Sequence, residues 1–237
     1  MRLNKYLARY AGVSRREADR LIEAGRVKVD GEQASLGMTI DEEKTEVIVG
    51  DKVVVPDRTR RYYAVYKPVG YISSTVRQTP EDRLVTELVS GSDGRRLFPV
   101  GRLDKDSEGL MILTDDGELM DKVLRSRYGH EKEYLVKLDT PITDDMIQEI
   151  SGGGLDIGEA RPTKACKIKR VTSDEVFIIL SEGMNREIRR IFEKYDTEVK
   201  SLCRVRFMDI TLDGLKPGQS RPLTDEETER MKKKAFR

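Results

Sequence analysis

The sequence predicts an α+β protein of two unequal modules: a small basic helical unit, then a larger domain built on a mixed, largely antiparallel sheet. Three observations carry that expectation. Residues 1–30 place apolar side chains at helical spacing and then alternate through a short valine strand. Beyond residue 61, apolar runs recur with only short helical stretches between them, unlike the regular strand–helix alternation of a parallel sheet. Residues 57–61, next to Pro56, are charged and lack apolar periodicity, the composition of a linker. The expected division is therefore 1–56, 57–61 and 62–237.

In the first module Leu3, Tyr6, Leu7 and Tyr10 recur at helical spacing, and Gly12 ends the helix. Ser14 followed by Glu17 is a capping-box pattern, in which the hydroxyl accepts from the Glu17 N–H and the carboxylate reaches back. The second helix has Ala18, Leu21 and Ile22 to bury, with Gly25 as its stop. Val27 and Val29 form a short strand into a turn at Asp30-Gly31, and Val47, Val49, Val53 and Val55 suggest further strands. In the larger domain, residues 63–66 read as a strand stopped at Pro68 and Gly70. Residues 110–113 read as a buried strand closed by Asp115-Asp116-Gly117, and 118–124 as a short helix. Residues 134–138 and 176–180 are further strands, while Ile188, Ile191, Phe192 and Tyr195 mark a helix. Gly152-Gly153-Gly154 is expected to be a flexible turn, and residues 231–237 a frayed basic end.

A hydrophobic fraction of 37% beside 37% charged residues, in a chain of 237, allows a well-buried core under an ionic surface. No stretch approaches the roughly 20 apolar residues of a membrane helix. Residues 1–12 hold no apolar signal run, so a cytoplasmic protein is expected. Cys166 and Cys203 are far apart and read as two reduced thiols. His130 is the single histidine, which leaves Ser–His and Cys–His triads without support. No His/Cys cluster has zinc spacing, and no phosphate-loop or dinucleotide fingerprint occurs. An enzyme of this sequence is expected to need no metal or cofactor, and to work through carboxylates, tyrosines and arginines.

Net charge is only +1, but its distribution is uneven. Residues 1–30 carry eight cations against four anions, net +4, which leaves −3 for the other residues. With Leu3, Tyr6 and Leu7 facing inward, Lys5, Arg9, Arg15, Arg16 and Arg20 fall on exposed faces, with Lys28 on the following strand. Such a patch is either a solvated face or a contact for the phosphates of a nucleic acid. The stretch RLNKYLARYAGVSRREADRLIEAGRVKVDG resembles the small RNA-binding domain first known from a small-subunit ribosomal protein (S-four-like), over about residues 1–50. That resemblance implies structured RNA as partner and says nothing of chemistry.

The stretch FPVGRLDKDSEGLMILTDDGEL, residues 98–119, sets Gly101-Arg102-Leu103-Asp104 on a turn just before a strongly apolar strand. A carboxylate at the edge of an apolar core is costly unless it is paired or used. By itself Asp104 could simply cap that turn, with Asp106 and Ser107 as polar neighbours.

The wider constellation resembles the RsuA/RluB/RluE/RluF family of pseudouridine synthases, across essentially the whole chain. Residues 100–109 look like the family block with the catalytic aspartate, which would be Asp104. HEKEYLV, residues 130–136, looks like its K-x-Y block and implies Tyr134 as the active-site tyrosine. EGMNREIRR, residues 182–190, looks like its E-G-x-N-R block. That match implies Arg189 as the arginine pairing with the aspartate and Ile188 as an apolar wall of the uracil pocket. Lys67-Pro68-Val69-Gly70 resembles the family's K-P-x-G turn. The implied activity is isomerisation of a uridine in RNA, which breaks a C–N glycosidic bond and forms a C–C bond to the same base without redox change.

The implied roles suit the residue types. A carboxylate can act as nucleophile or base, and an arginine would keep it ionised in a desolvated pocket. Tyr134 can stack on the extruded uracil. The base must leave its stack at a cost of a few kcal/mol, and the resemblance gives Arg102 the task of filling the gap with its planar guanidinium. Leu103, Lys105, Met184, Asn185, Arg186 and Glu187 flank the same site and are candidates for RNA contact. For Lys105 and Asn185 a surface salt bridge is an equal alternative. Met184 and Glu187 stand where relatives often have arginine or leucine, and glutamine. GRLDKDS, HEKEYLVKLDTPIT, EVKSL and RPLTDEE look most like the RluF branch, which implies large-subunit (23S) ribosomal RNA as substrate. The same reaction on 16S rRNA or tRNA, or a non-catalytic ribosome-associated protein, are the alternatives. A basic face that suits RNA makes a monomer the expected state.

Overall fold

The computed structural model describes residues 1–57, 59–90, 95–124 and 129–236; Arg58, in the expected linker, and Arg237, in the expected frayed end, lie outside them. The chain divides into two units, residues 1–60 with 91–96, and residues 61–90 with 97–237. Arg95 goes with the first because its guanidinium donates to the Thr59 carbonyl (2.7 Å) and pairs with Asp57.

In the first unit, α1 (Leu3–Tyr10) buries Leu3, Tyr6 and Leu7, and α2 (Arg15–Glu23) buries Ala18 and Ile22. Leu21, expected in the core, only packs against it from a half-buried position. Ser14 accepts from the Glu17 N–H at 3.0 Å, but only half of the capping box forms: the Glu17 carboxylate turns to Arg20, 3.4 Å away. Strands β1 (Val27–Val29), β2 (Glu32–Gln33), β3 (Val47–Val49) and β4 (Lys52–Val53) make a sheet in the order β2-β1-β3-β4. Asp30 and Gly31 both have positive φ, +50° and +85°, as a two-residue hairpin turn requires. Val55, expected in a strand, lies outside and is exposed.

The second unit is built on a nine-stranded sheet. In chain order its strands are β5 (Tyr62–Lys67), the small pair β6 (Tyr71–Ile72) and β7 (Arg83–Leu84), β8 (Phe98–Pro99) and β9 (Glu108–Thr114). After α3 (Gly117–Leu124) come β10 (Lys132–Leu138), α4 (Asp144–Gly152), β11 (Lys167–Arg170) and β12 (Glu175–Leu180). Next are α5 (Glu187–Glu193), β13 (Val199–Phe207), β14 (Ile210–Thr211), β15 (Ser220–Pro222) and α6 (Asp225–Ala235). The main path runs β11-β12-β10-β13-β9-β5-β15; β6 and β7 pair separately. All described pairings in the nine-stranded sheet are antiparallel except β13–β9, so the sheet is mixed and largely antiparallel as expected.

The period of two along each strand sorts side chains into two cores. Tyr63, Val65, Met111 and Leu113 enter one core with Ile150 of α4 and Ile188, Ile191 and Phe192 of α5. Tyr62, Ala64, Leu110 and Ile112 enter the other with Leu119 and Val123 of α3 and Met231 and Ala235 of α6. Residues 231–235 are therefore an ordered helix and not a frayed end. Thr224 and Glu227 form a complete capping box at its start, and Met231 and Ala235 are buried below 3% exposure. Tyr195 lies just past the end of α5 and packs only on the margin of the core. Gly153 is a close-approach position instead of a flexible turn: at φ +70° it caps α4, and a Cβ there would sit 2.4 Å from the Ala165 nitrogen. No helix among the described residues is long and apolar enough to cross a membrane.

Candidate active site

The parallel contact between β9 and β13 organises the site. Gly109, at φ +110°, pairs with Arg204, and a Cβ on it would lie 2.4 Å from the Arg204 carbonyl oxygen. Only glycine lets the backbones meet this closely, and the turn preceding β9 lines the same cavity as Arg204. Beside it opens a cavity of about 760 Å³. Arg102, Leu103, Asp104, Tyr134, Met184, Asn185, Arg186, Glu187 and Ile188 all line it. The three separated sequence blocks thus converge on one cavity.

Asp104 is part-exposed at the cavity, on a turn held from several sides. Ser73 Oγ donates to the Leu103 carbonyl (2.7 Å) and accepts from the Leu103 N–H (3.0 Å), which pins the residue before it. Leu103 is itself buried in the core, so any part it plays toward RNA is limited to the cavity wall. Lys67, fully buried at the end of β5, donates to the Ser107 carbonyl (2.5 Å) and the Pro68 carbonyl (3.1 Å) behind that turn. Burial pushes its ammonium down to about 8, although Asp104, Asp106 and Glu108 pull the other way. Arg102 is exposed at the cavity's edge.

The arginine pairing differs from the expectation. Arg189 does not ion-pair with Asp104. Its Nε lies 3.4 Å from the Asp106 carboxylate, and its Nη groups donate to the carbonyls of Asp106 (3.0 Å) and Val199 (2.9 Å). Those backbone bonds consume its reach in tying α5 to β13 and the turn, and it does not line the cavity. Arg186 is the arginine near Asp104, at 3.8 Å, with a closer pair to Asp106 at 3.1 Å. Arg186 has φ +49° and ψ +32°, a left-handed conformation that strains a side-chain-bearing residue. Lys105 also departs from the cavity: its ammonium pairs with Asp82 at 3.2 Å, the salt-bridge alternative. Asn185 keeps both aspects, lining the cavity and accepting from Arg190 at 3.4 Å.

The far wall is more ionic than the sequence reading anticipated. Tyr134 is buried, which raises its phenol against the opposing pull of the adjacent Arg204, so it remains a donor. Arg204, 2% exposed, donates from Nε to the Leu110 carbonyl (2.7 Å) and lies over the Phe207 ring. Lys132 donates to the Glu182 carbonyl (2.9 Å); burial lowers its ammonium, with help from Arg204. Lys132, Glu182 and Arg204 line the cavity and were not expected there. Lys132 and Glu182 each stand beside a strand read as apolar, where a buried charge is a signal that could have found them, whereas Arg204 lies on a strand that the sequence did not mark.

Residues 61–194 match the family described as RNA pseudouridylate synthase, and residues 1–46 match the S4 domain. The chain is 42% identical to the dual-specificity RNA pseudouridine synthase RluF of Salmonella typhi, over 95% of this chain and 76% of that one. It is 35% identical to the ribosomal small subunit pseudouridine synthase A of Escherichia coli (strain K12), over 96% and 98%. A crystal structure of a pseudouridylate synthase superposes with a TM-score of 0.70 at 30% identity, covering 98% of this chain and 99% of that chain.

Proposed function

The chain belongs to the RNA pseudouridylate synthases, isomerases that convert uridine in RNA to pseudouridine, and on that premise we propose that it modifies a specific uridine of large-subunit (23S) ribosomal RNA with Asp104 as its catalytic carboxylate. The observation that carries this reading is the placement of Asp104, Tyr134 and Ile188 on one cavity of about 760 Å³. An extruded uracil stacks on Tyr134 against Ile188, with Asp104 beside the glycosidic bond to be broken. Arg186 balances the carboxylate's charge, Arg189 braces the turn through Asp106, and Arg102 occupies the stack that the base has left.

In this reading residues 1–56 are the RNA-binding domain, 57–61 the linker and 62–237 the catalytic domain. Lys5, Arg9, Arg15, Arg16, Arg20 and Lys28, all exposed, are the phosphate contacts of the RNA-binding domain. Arg9 is engaged by Glu42 at 3.3 Å and Arg20 by Glu17, so Lys5, Arg15, Arg16 and Lys28 carry most of the contact. The protein acts as a monomer in the cytoplasm. The name of the RluF relatives, dual-specificity, and the small-subunit name of another relative favour a second RNA target as the alternative. Mapping pseudouridines in ribosomal RNA and tRNA from cells with and without the protein tests both. A site missing only from 23S rRNA upholds the first reading, and a site missing only from 16S rRNA or tRNA replaces it.

A further inference from the structure

Glu182 and Glu187 are each 4% exposed and stand side by side on the cavity wall. One oxygen of each accepts a backbone N–H: Glu182 Oε1 from Lys164 (2.7 Å), and Glu187 Oε2 from Met184 (3.0 Å). The two carboxyl groups lie close enough to act on each other's protonation, and Glu182 Oε2, like Glu187 Oε1, is buried without a hydrogen-bond partner among the described residues. Two carboxylates both accept and cannot bond unless a proton lies between them, and two buried like charges in contact do not both ionise.

We propose that Glu182 and Glu187 form a pair sharing one proton, and that Glu187 in this state is a positioning residue for the turn 183–186 that carries Arg186 to Asp104. This rests on the assignment of the cavity as the uridine site. The surrounding charges decide which partner keeps the proton. Arg161 lies 2.5 Å from Glu182 Oε2, and with the Lys164 N–H and Glu187 it holds Glu182 below the ordinary carboxylate range despite burial. Among the described residues no cation pairs with the Glu187 carboxylate. Burial, then Glu182, raises it to about 7, against the Met184 N–H and the pull of Lys132. Lys132 donates to the Glu182 backbone carbonyl and acts on Glu187 only through its charge. From the other packed elements Tyr134, Arg204 and Cys166 face the pair, and His130 lies near Lys132; burial keeps the phenol and the thiol protonated and the imidazole neutral.

The proton ties two segments together. Glu182 holds residues 161–164, while Glu187 closes back onto Met184 around the strained Arg186. Loss of the proton turns the bond into repulsion and releases the turn from the cavity wall, so Arg186 leaves Asp104.

The test pairs an activity profile with a spectroscopic one. Infrared difference spectra of wild type and of Glu187→Gln, taken at pH about 6, are expected to show a protonated-carboxyl C=O band in wild type alone. Its absence from wild type overturns the shared proton. Single-turnover rates on ribosomal RNA are then compared from pH about 6 to about 9. Glutamine keeps the hydrogen bond and cannot ionise, so the Glu187→Gln to wild-type ratio is expected to rise about tenfold or more with pH. A flat ratio overturns the positioning role even if the band is present. Wholesale failure of the cavity assignment reads out separately, as turnover surviving in Asp104→Ala, and leaves the infrared result standing.

Discussion

Arg186 pays for its place with a left-handed backbone, φ +49°, where the intrinsic cost is roughly 1 kcal/mol for a residue with a Cβ. What that strain provides is proximity, a guanidinium 3.8 Å from Asp104 and 3.1 Å from Asp106. Arg186→Gly is therefore expected to be more stable than Arg186→Ala by about 1 kcal/mol in chemical denaturation, with both slow in turnover. Equal stability of the two would remove strain from the account. Glu187 gives a second prediction at this scale. A carboxyl whose folded pKa is raised binds its proton more tightly when folded, so its contribution is fully present at low pH and is lost as pH rises through about 7. Denaturation curves at pH about 5 and about 8 should show wild type losing stability over that interval and Glu187→Gln losing less. That Asp104, Tyr134 and Ile188 line one cavity was legible in the sequence because each sits in a contiguous block. The Arg189 assignment failed in detail because a motif gives a residue's neighbourhood, whereas its hydrogen bonds to the Val199 and Asp106 carbonyls depend on where β13 and the turn lie in space.

Among the elements, β13 is the one that the sequence concealed most fully. VKSLCRVRF places Arg204 at a core-facing position, so the apolar alternation that marks a strand is broken where the strand is most central. Strands β5, β9, β10 and β12 carry uninterrupted apolar positions and were found within a residue or two of their ends. Helix α6 was misread because three consecutive lysines hide the buried spacing of Thr228, Met231 and Ala235. Met231→Ala is expected to cost about 2–5 kcal/mol, the range for a large buried aliphatic truncation; a loss below about 0.5 kcal/mol would return α6 to a dispensable end. Gly109→Ala attacks the β9–β13 contact directly. Its Cβ would collide with the Arg204 backbone, so a destabilisation of at least about 2 kcal/mol is expected, with the cavity disturbed as well.

At the scale of the whole molecule, a chain of net charge +1 concentrates +4 in its first 30 residues while the catalytic unit holds buried charges of both signs. In the proposed function that division has one part bind phosphate non-specifically while the other acts on a single base. Replacing both Arg15 and Arg16 with alanine is expected to weaken RNA binding across sequences and to reduce the log–log salt slope by about 1.5 to 2, with single-turnover chemistry at saturating RNA largely kept. An unchanged slope would mean that this face does not meet phosphate. In the proposed function Asp104 performs the isomerisation in the cavity that it shares with Tyr134. The most direct measurement is single-turnover pseudouridine formation by Asp104→Asn on ribosomal RNA at saturating enzyme, with RNA affinity measured in parallel. No pseudouridine at near-wild-type affinity is the expected result; pseudouridine formed at the wild-type rate would contradict it.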